Sequence, residues 1–404
     1  MQLRLYYGQA GTGKTTTMIE IVKKLLEGGI SAIILAPTHS ACDNIRRKLR
    51  DLNVNVSTIY SYFSIDYSAG AIAPIRKKLH QNVFIDEFSL LDREMMIKLL
   101  TMLKRFEVTL WLFGDPLQLN PVYEKRISQY SLQDVENISF DALQLLQYEI
   151  KDLMCIRHIY QGLFYQFLTP NPLYKLDEVV KMTKVYRQEG SLMDEIYSII
   201  NDKNYNILSF KKMISCVKNG YVVSDKSGKQ IIVKPYHQYF LSSTYALLQD
   251  IYNQTYVNIN GKSVKNCQKF SYYLTLDEEY MWIGPNDKSM KNGMIVKLKK
   301  NENNSISFDN GVTLPANCTV YLQPARYLSI HKSQGLTLKN VVICIDDMFE
   351  PSMIYTALTR ASNTNLLFNI HKDAIEKFDH QLDLLRDLKE FYYGEKRFNN
   401  QINP

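Results

Sequence analysis

The stretch GQAGTGKT, residues 8–15, decides the fold because it stands between the apolar run LRLYY (3–7) and the helix-like run TTTMIEIVKKLLEGG (15–29). It satisfies the pattern GxxxxGK(S/T) in the strand, loop and helix context that a phosphate-binding loop requires. Its glycines allow backbone N–H groups to close on phosphate oxygens, and the helix N-terminus adds a positive dipole. A glycine-rich loop that only turns the chain is the alternative, but the Lys-Thr pair in register favours a nucleotide site.

Two further groups complete this predicted site. Lys14 is expected to reach the β- and γ-phosphates of ATP, and the Thr15 hydroxyl to ligate Mg²⁺. Downstream, VFIDE (83–87) places two acids after a buried β-strand. Asp86 would hold Mg²⁺ and Glu87 would orient or deprotonate the attacking water, whereas a solvated acid pair capping the next helix is the alternative. The loop residues expected to bind the nucleotide are Gly8, Ala10, Gly11, Thr12, Gly13, Lys14, Thr15 and Thr16.

Around this loop, short apolar runs alternate with amphipathic stretches of helical length. The runs at 31–36, 83–86 and 108–113 are typical of buried β-strands, and the alternation predicts an α/β fold with mainly parallel sheets. The prolines of TPNP (169–172) suggest a domain boundary. We therefore predict a first lobe over 1–168, a second lobe over 169–255 and 326–404, and a small antiparallel β insert over 256–325.

Composition excludes several other classes of protein. The chain has 404 residues, of which 46% are hydrophobic and 22% charged, so it is neither a small disulfide-stapled scaffold nor a disordered chain. The net charge of +7 is compatible with a polyanionic partner without requiring one. Six scattered cysteines form no zinc-binding spacing, and no segment resembles a signal peptide or membrane span. We expect a protein of a reducing aqueous compartment, cytoplasmic or nuclear, with no membrane partner.

Several further motifs follow the phosphate loop in a fixed order. Together they resemble superfamily 1 helicases of the 1B group, in the RecD-like and phage Dda-like branch. Any one short motif is weak, but GDPLQLNPV and HKSQG are long enough to be specific. The matching segments are APTHSA (36–41), TIYSYF (58–63), DEFS (86–89), GDPLQLNPV (114–122), VYRQ (185–188), SIHKSQGLT (329–337) and YTALTRAS (355–362).

The resemblance implies two RecA-like lobes that bind ATP between them, with a β-barrel-like insert in the second. It implies that Arg187 and Arg360 neutralise charge on the γ-phosphate, that Gln118 senses this phosphate, and that Gly335 lies at the nucleotide. Either arginine as a surface residue in an exposed ion pair is the alternative. Members of the family usually carry an adenine-reading Gln about twenty residues before the loop, whereas seven residues precede Gly8 here. We therefore expect adenine recognition to be weakened or moved, with Tyr186 as the candidate for stacking on the adenine.

The resemblance also assigns residues that grip a nucleic-acid strand. Hydroxyls and backbone N–H groups suit phosphates, and aromatic rings suit bases. Such groups bind a nucleic-acid strand without reading its base sequence. Each residue taken singly has a structural alternative, such as a helix start for His39 or a core aromatic for Tyr60, which stands where relatives commonly have His. The predicted pin over 61–82 is short, with Phe63, Ile65 or Tyr67 as wedge. The predicted contacts are Pro37, Thr38, His39, Thr58, Tyr60, Thr244, His331 and Lys332.

The function expected from this pattern is an ATP- and Mg²⁺-dependent DNA helicase. The resemblance implies a monomeric motor that moves 5′-to-3′ on single-stranded DNA, in replication or repair and with partner proteins of those pathways. The composition, rich in Tyr, Asn and Lys, is typical of an AT-rich genome, and a viral or phage origin fits it. The alternatives are an RNA helicase of the same superfamily, a nucleic-acid-binding protein with a decayed ATPase, and a small-molecule kinase. Residues 123–168 match no motif.

Overall fold

A computed structural model gives the fold of most of the chain, which divides into two compact units. The first unit comprises residues 1–189, 350–352 and 383–404, and the second comprises 190–349 and 353–382. In the described part, no helix is both long and apolar enough to cross a bilayer. The structure describes residues 1–49, 52, 54–66, 71–72, 78–91, 93–121, 158, 162–168, 175–186, 192–201, 213–217, 220–224, 230–233, 239–255, 262–265, 270–287, 289–302, 304–368 and 373–394.

The first unit is built on a six-stranded parallel sheet with the strand order β3-β2-β6-β7-β1-β8. The β-strands of the unit are β1 (Gln2–Gly8), β2 (Ala32–Ala36), β3 (Asn55–Thr58), β4 (Ile65–Asp66), β5 (Ala71–Ile72), β6 (Asn82–Ile85), β7 (Thr109–Gly114) and β8 (Glu178–Met182), of which β4 and β5 form a separate antiparallel pair. Its helices are α1 (Lys14–Glu27), α2 (His39–Lys48), α3 (Ile59–Phe63), α4 (Arg93–Leu103) and α5 (Leu163–Leu168), with a 3-10 turn at Phe88–Leu90.

Apolar runs explain why these β-strands are central. All five residues of β2 and all four of β6 are buried, as expected for parallel strands that are covered on both faces. Met18 and Val22 of α1 pack with Ile34 and Phe84 in one cluster, so the helix after the phosphate loop is fixed on the sheet. Because the strands are parallel, their C-terminal ends lie at one edge of the sheet, and the segments that follow them meet there. The last residues of β1, β2, β3, β6 and β7 are Gly8, Ala36, Thr58, Ile85 and Gly114.

The second unit contains a seven-stranded sheet with the order β11-β10-β9-β22-β21-β12-β20, in which β9, β10 and β11 pair antiparallel with one another, while β9 pairs parallel with β22 and the remaining pairs are parallel. Its β-strands are β9 (Met213–Val217), β10 (Gly220–Ser224), β11 (Gln230–Val233), β12 (Tyr239–Ser242), β20 (Tyr327–Ser329), β21 (Leu338–Cys344) and β22 (Ala361–Phe368). Its helices are α6 (Leu192–Asn201), α7 (Tyr245–Thr255), α8 (Ile330–Ser333), most of α9 (Pro351–Leu358) and the first part of α10 (Ala374–Tyr393).

A β-rich insert lies between β12 and β20. A hairpin and a five-stranded antiparallel sheet, ordered β18-β17-β16-β15-β19, form it. Phe240 and Ile251 belong to the same hydrophobic cluster as Tyr280 and Val296, so the insert shares a core with β12 and α7. The elements are β13 (Lys262–Lys265), β14 (Ser271–Leu274), β15 (Glu279–Trp282), β16 (Ile295–Glu302), β17 (Ser305–Phe308), β18 (Thr313–Pro315), a 3-10 turn at Ala316–Tyr321, and β19 (Leu322–Pro324).

Two predicted lobe boundaries differ from the structure. The predicted second lobe begins at residue 169, but β8 pairs with β1, which places 178–182 in the first sheet. The predicted second lobe also extends to the C-terminus, whereas residues 383–404 group with the first unit. The physical reason is that a sheet is completed by whichever segment can hydrogen-bond its open edge, and the prolines at 170 and 172, outside the described residues, do not determine that.

Candidate functional site

The phosphate loop adopts a backbone that its glycines permit. Gly8 ends β1, and a Cβ there would lie 2.5 Å from Thr12 Oγ1 and 2.7 Å from the Met182 carbonyl oxygen. Gly13 precedes α1 with φ of 80°, in the left-handed region that side chains rarely adopt. The loop therefore turns directly from strand into helix, and the N-terminus of α1 faces the edge of the sheet.

Lys14 is buried at the base of this loop. Its Nζ donates to the carbonyl oxygens of Gly8 at 2.7 Å and Gln9 at 2.9 Å, and lies 3.8 Å from Asp115 Oδ2. The Lys14 side chain is 9% exposed and that of Asp115 is completely buried. The ammonium is thus held beside the loop by neutral oxygens and a carboxylate, at the end of a chain long enough to turn toward a phosphate.

The two predicted magnesium ligands are in direct contact. Thr15 Oγ1 donates to Asp86 Oδ2 at 3.2 Å, and the Glu87 backbone N–H donates to Asp86 Oδ1 at 3.1 Å. Burial raises the pKa of Asp86, while the nearby Lys14 ammonium and the Thr15 hydroxyl oppose that rise. A hydroxyl and a carboxylate side by side are oxygen ligands that suit Mg²⁺, so the residues present fit this ion.

Glu87 follows with an unusual backbone. Its φ of 51° and ψ of 41° lie in the left-handed region, and the residue is half-buried. A non-glycine residue in this region carries strain that the surrounding structure must offset, and such strain is frequent at functional sites. Asp86 directly follows β6, whereas Glu87 lies in the strained turn. The two adjacent acids therefore have different surroundings.

The segment after β7 forms a turn around Asp115. Asp115 Oδ1 accepts the Leu117 backbone N–H at 3.1 Å, and the Asp115 carbonyl accepts the Gln118 N–H at 3.2 Å. Gln118, the predicted phosphate sensor, is only 3% exposed. The orientation of Gln118 therefore depends on where Asp115 is held.

A buried histidine that sequence reasoning missed supports the same turn. Asn120 Nδ2 donates to the His158 carbonyl at 3.1 Å and lies 3.1 Å from His158 Nδ1, while His158 Nε2 lies 3.4 Å from the Pro116 carbonyl oxygen. Burial lowers the pKa of His158 to about 4, so the ring is neutral and can accept at one nitrogen and donate at the other. No sequence motif marks His158, because its role depends only on contacts made by folding.

Tyr186 lies against the phosphate loop. Its backbone N–H donates to the Gly11 carbonyl at 2.9 Å, and its ring atom Cδ2 would be 3.3 Å from a Cβ at Gly13. The Tyr186 side chain is 66% exposed, and Lys184 Nζ lies 5.1 Å from the ring centroid. An exposed ring next to the loop is compatible with the predicted stacking on adenine. Arg187 lies outside the described residues.

The predicted nucleic-acid contacts of the first unit follow the neighbouring strands β2 and β3. Thr38 Oγ1 accepts the Ala41 N–H at 3.1 Å and Thr58 Oγ1 accepts the Ser61 N–H at 3.2 Å, so both hydroxyls cap helices. Thr38 is exposed, but Thr58 is 6% exposed, which leaves little of its side chain for a ligand. Pro37 is buried, whereas His39 and Tyr60 are half-buried.

In the second unit, Thr244 and Lys332 follow the paired strands β12 and β20. Ser242 is opposite Ser329 in that register, so both segments start at one edge of the sheet. Lys332 Nζ donates to Gln323 Oε1 at 3.3 Å and lies 5.8 Å from the Tyr245 ring centroid. His331 is half-buried, and burial lowers its pKa.

Two predicted nucleotide contacts also come together in the second unit. The Arg360 guanidinium is 6% exposed; its Nε donates to the Thr356 carbonyl at 3.1 Å and Nη1 to the Leu336 carbonyl at 3.4 Å. Gly335, directly before Leu336, has φ of 77°. The positive φ of Gly335 thus shapes the turn on which Arg360 rests.

Two of the three predicted wedge residues, Phe63 and Ile65, are not suited to separate base pairs. Phe63 is 1% exposed and Ile65 is 9% exposed, so both side chains belong to the core of the first unit. This corrects the prediction for Phe63 and Ile65, because a wedge must present its ring or chain to the duplex. Tyr67 lies outside the described residues, as do 68–70 and 73–77 of the predicted pin and most of the 123–168 region.

With a phosphate loop, a Thr-Asp ligand pair and a parallel sheet that brings them together, the first unit has the fold and site of a P-loop nucleotide-binding protein. A family model for an AAA domain (AAA_30) matches residues 1–137. RecD subunits of the RecBCD enzyme are similar in sequence: that of Haemophilus influenzae is 22% identical, covering 92% of this chain and 67% of the relative, and that of Buchnera aphidicola is 23% identical, covering 90% and 69%.

Solved structures of Pif1 helicases have the same fold. A Pif1 structure solved in work on unwinding at forked double-stranded DNA matches with a TM-score of 0.60 and 20% identity, covering 98% of this chain and 94% of that one. Bacteroides Pif1 bound to single-stranded DNA matches with a TM-score of 0.58 and 19% identity, covering 98% and 95%. The comparisons confirm the resemblance to superfamily 1 helicases of the RecD and Pif1 type and the predicted α/β fold class.

Proposed function

We propose that this protein is an ATP-dependent DNA helicase that moves along single-stranded DNA, with 5′-to-3′ direction implied by its resemblance to RecD-like helicases. The observation that carries the proposal is the contact geometry of Lys14, Thr15 and Asp86 at one edge of the first sheet. The similarity to RecD along about nine-tenths of the chain supports it. A small-molecule kinase would need only the phosphate loop, not the motifs of the second unit.

ATP hydrolysis requires that negative charge on the phosphates be neutralised and that a water molecule be oriented. Lys14 would leave the Gly8 and Gln9 carbonyls to bind the phosphates, while Thr15 and Asp86 would hold Mg²⁺. When bound, Mg²⁺ supplies charge neutralisation between the phosphates. Glu87 would orient and deprotonate the attacking water, and Gln118 would hydrogen-bond the γ-phosphate. Arg187 and Arg360 stay predictions as further cations at this phosphate, as does Gly335 as a nucleotide contact.

Nucleic-acid binding would use groups that face phosphates without reading bases. Thr38 and Thr244 stand at helix N-termini, where a hydroxyl and backbone N–H groups favour phosphate oxygens. Lys332 adds a positive charge beside the Tyr245 ring. His331, His39 and Tyr60 are half-buried and are proposed as partial contacts, whereas buried Pro37 and Thr58 would act by shaping their loops. Such contacts suit a motor that must pass over any sequence.

We place this activity in a reducing compartment, cytoplasmic or nuclear, with single-stranded DNA as the ligand. Cys42, Cys318 and Cys344 form no disulfide bond among the described residues, which is compatible with that placement. The protein would act as a monomeric motor alongside replication or repair proteins.

The proposal is tested by measuring ATP hydrolysis with and without single-stranded nucleic acid. Matched DNA and RNA oligomers of one sequence are titrated against the wild type and against Lys14→Ala. We expect stimulation of the wild type by DNA and no activity of the variant. Stimulation by RNA alone would make the protein an RNA helicase, and hydrolysis that ignores both oligomers would contradict a nucleic-acid motor.

A further inference from the structure

We propose that Tyr393, the last residue of helix α10, is a positioning residue for nucleotide hydrolysis: its hydroxyl fixes the Asp115 carboxylate that faces Lys14. Tyr393 lies more than thirty residues beyond the last matching motif, YTALTRAS (355–362). It nevertheless belongs to the first unit, together with the phosphate loop. This inference rests on the proposed ATPase function and assigns a new residue to its site.

The contact is direct and partly buried. Tyr393 Oη donates to Asp115 Oδ1 at 3.1 Å, the same oxygen that accepts the Leu117 N–H. The other oxygen, Oδ2, lies 3.8 Å from Lys14 Nζ. Asp115 is 0% exposed, and a buried carboxylate is costly unless donors satisfy it. The Tyr393 hydroxyl therefore helps to keep a negative charge at a fixed distance from the phosphate-binding lysine.

The end of α10 is itself anchored, so the hydroxyl has a defined position. Lys181 Nζ, from β8, donates to the Tyr393 carbonyl at 2.7 Å and lies 5.9 Å from its ring centroid. A cation at the C-terminus of a helix binds the carbonyl groups that have no partner within the helix. The Tyr393 ring also packs against Tyr7 of β1, with centroids 5.8 Å apart. Tyr7 lies on β1, the strand that leads into the phosphate loop, and Lys181 lies on β8, which pairs with β1.

Two consequences for hydrolysis follow from this arrangement. Asp115 accepts the Gln118 N–H through its carbonyl and the Leu117 N–H through its carboxylate, so a shift of Asp115 moves the turn that carries Gln118. The same shift moves the negative charge that faces Lys14. Charge-assisted hydrogen bonds are strong and directional, so loss of the Tyr393 donor should loosen the positions of Lys14 and Gln118. We expect this loss to weaken stabilisation of the transition state more than nucleotide binding.

The test is steady-state ATP hydrolysis by the full chain carrying Tyr393→Phe, which removes one oxygen atom. We expect kcat to fall about three- to tenfold, with KM for ATP within about twofold of wild type. Tyr321→Phe, a half-buried tyrosine of the insert, is the matched control and should keep wild-type kcat. Thermal melting checks that each variant is folded. Lys181→Met is the second variant, to be used if Tyr393→Phe proves unstable. It removes the cation at the end of α10 and keeps the Tyr393 hydroxyl, so we expect a smaller fall in kcat than for Tyr393→Phe.

A double-mutant cycle separates positioning from general destabilisation. If Tyr393 acts through Asp115, adding Tyr393→Phe to Asp115→Asn should lower kcat no further. Additive losses, or a wild-type kcat in both Tyr393→Phe and Lys181→Met, would overturn the role of Tyr393 while leaving the proposed function intact. A wild-type protein without any ATPase activity would instead overturn the proposed function, and this role with it.

Discussion

The two sheets carry polar sites of the same construction but different charge. In the first unit, Lys14 and two buried carboxylates, Asp86 and Asp115, follow strands that end at one edge. In the second unit, Thr244 and Lys332 follow β12 and β20 at one edge of the second sheet. This edge brings together hydroxyls, the Gln323 amide, the Tyr245 ring and the Lys332 ammonium group. Both use the edge at which parallel strands end and helices begin.

The difference teaches which ligand each edge can hold. Carboxylates next to a lysine suit a polyphosphate that arrives with a divalent cation, because the carboxylates bind the metal and the lysine binds the phosphates. Hydroxyls, an amide and a lysine suit phosphodiester oxygens that carry one charge each and need no metal. We therefore propose nucleotide chemistry at the first edge and strand binding at the second.

Removal of the Lys14 ammonium group at the first edge should give the largest effect, on the rate of ATP hydrolysis. Lys14→Ala takes away the cation that neutralises the phosphates, so we expect ATP hydrolysis to fall about a thousandfold. Lys23→Ala, an exposed lysine of the same helix, should keep wild-type activity and serves as the control. Initial rates of phosphate release measure both. A Lys14→Ala rate equal to wild type would place the nucleotide elsewhere.

Neutralising the proposed base tests the role of the strained turn after Asp86. Glu87→Gln keeps the shape of the side chain but cannot take a proton, and we expect hydrolysis to slow about a hundredfold with nucleotide affinity retained. Exposed Glu107→Gln is the matched control. Single-turnover hydrolysis and binding of a fluorescent ATP analogue distinguish the two steps. Equal losses of binding and hydrolysis would contradict a role in the chemical step.

The neutral His158 should make the first unit sensitive to acid. Its pKa is lowered from 6.5 to about 4 by burial, so the unfolded chain binds more protons between these values and stability falls as the pH drops through that window. We expect about 2 kcal/mol of unfolding free energy to be lost between pH 7.5 and 5. His158→Gln should lack this loss. Urea unfolding in a Trp282→Phe background, where Trp111 reports the first unit, measures it; equal pH profiles would be contrary to the assignment.

The smallest effect is expected at the second edge. Lys332→Ala should weaken binding of single-stranded DNA about two- to fivefold and reduce the slope of log affinity against log salt by about 0.7. Lys339→Ala, an exposed lysine on β21, is the control. Fluorescence anisotropy over a range of salt concentrations gives both quantities. An unchanged slope for Lys332→Ala would exclude a phosphate contact and weaken the contrast between the two edges.

Sequence reasoning predicted contacts where a residue's position is set by its neighbours in the chain, while the roles of these residues stay predictions. Lys14 and Thr15 end the glycine-rich loop that follows β1, and Asp86 directly follows β6, so the meeting of Thr15 with Asp86 follows from two strands that end at one edge. The order of β1, β2, β6 and β7 is likewise consistent with the predicted α/β fold.

Roles that depend on contacts distant in sequence were missed. Tyr393 is one of 28 tyrosines, and no periodicity marks it; its contact with Asp115 spans 278 positions. The role of His158 is evident only in the folded chain, in which its ring lies beside Pro116 and Asn120. Phe63 was predicted as a wedge because it lies in the short segment where the family inserts a strand-separating pin, but its large apolar ring is buried in the core. A sequence pattern does not show which apolar residues a short insert buries.

The central claim is that ATP hydrolysis at the first edge drives movement along single-stranded DNA, and strand displacement tests it most directly. Labelled duplexes with a 5′ tail, a 3′ tail or no tail are mixed with the protein, Mg²⁺ and either ATP or a non-hydrolysable analogue. We predict displacement only on the 5′-tailed duplex, only with ATP, and none with Lys14→Ala. Displacement that is as fast with the analogue as with ATP, or its absence in a preparation that hydrolyses ATP, would contradict the claim.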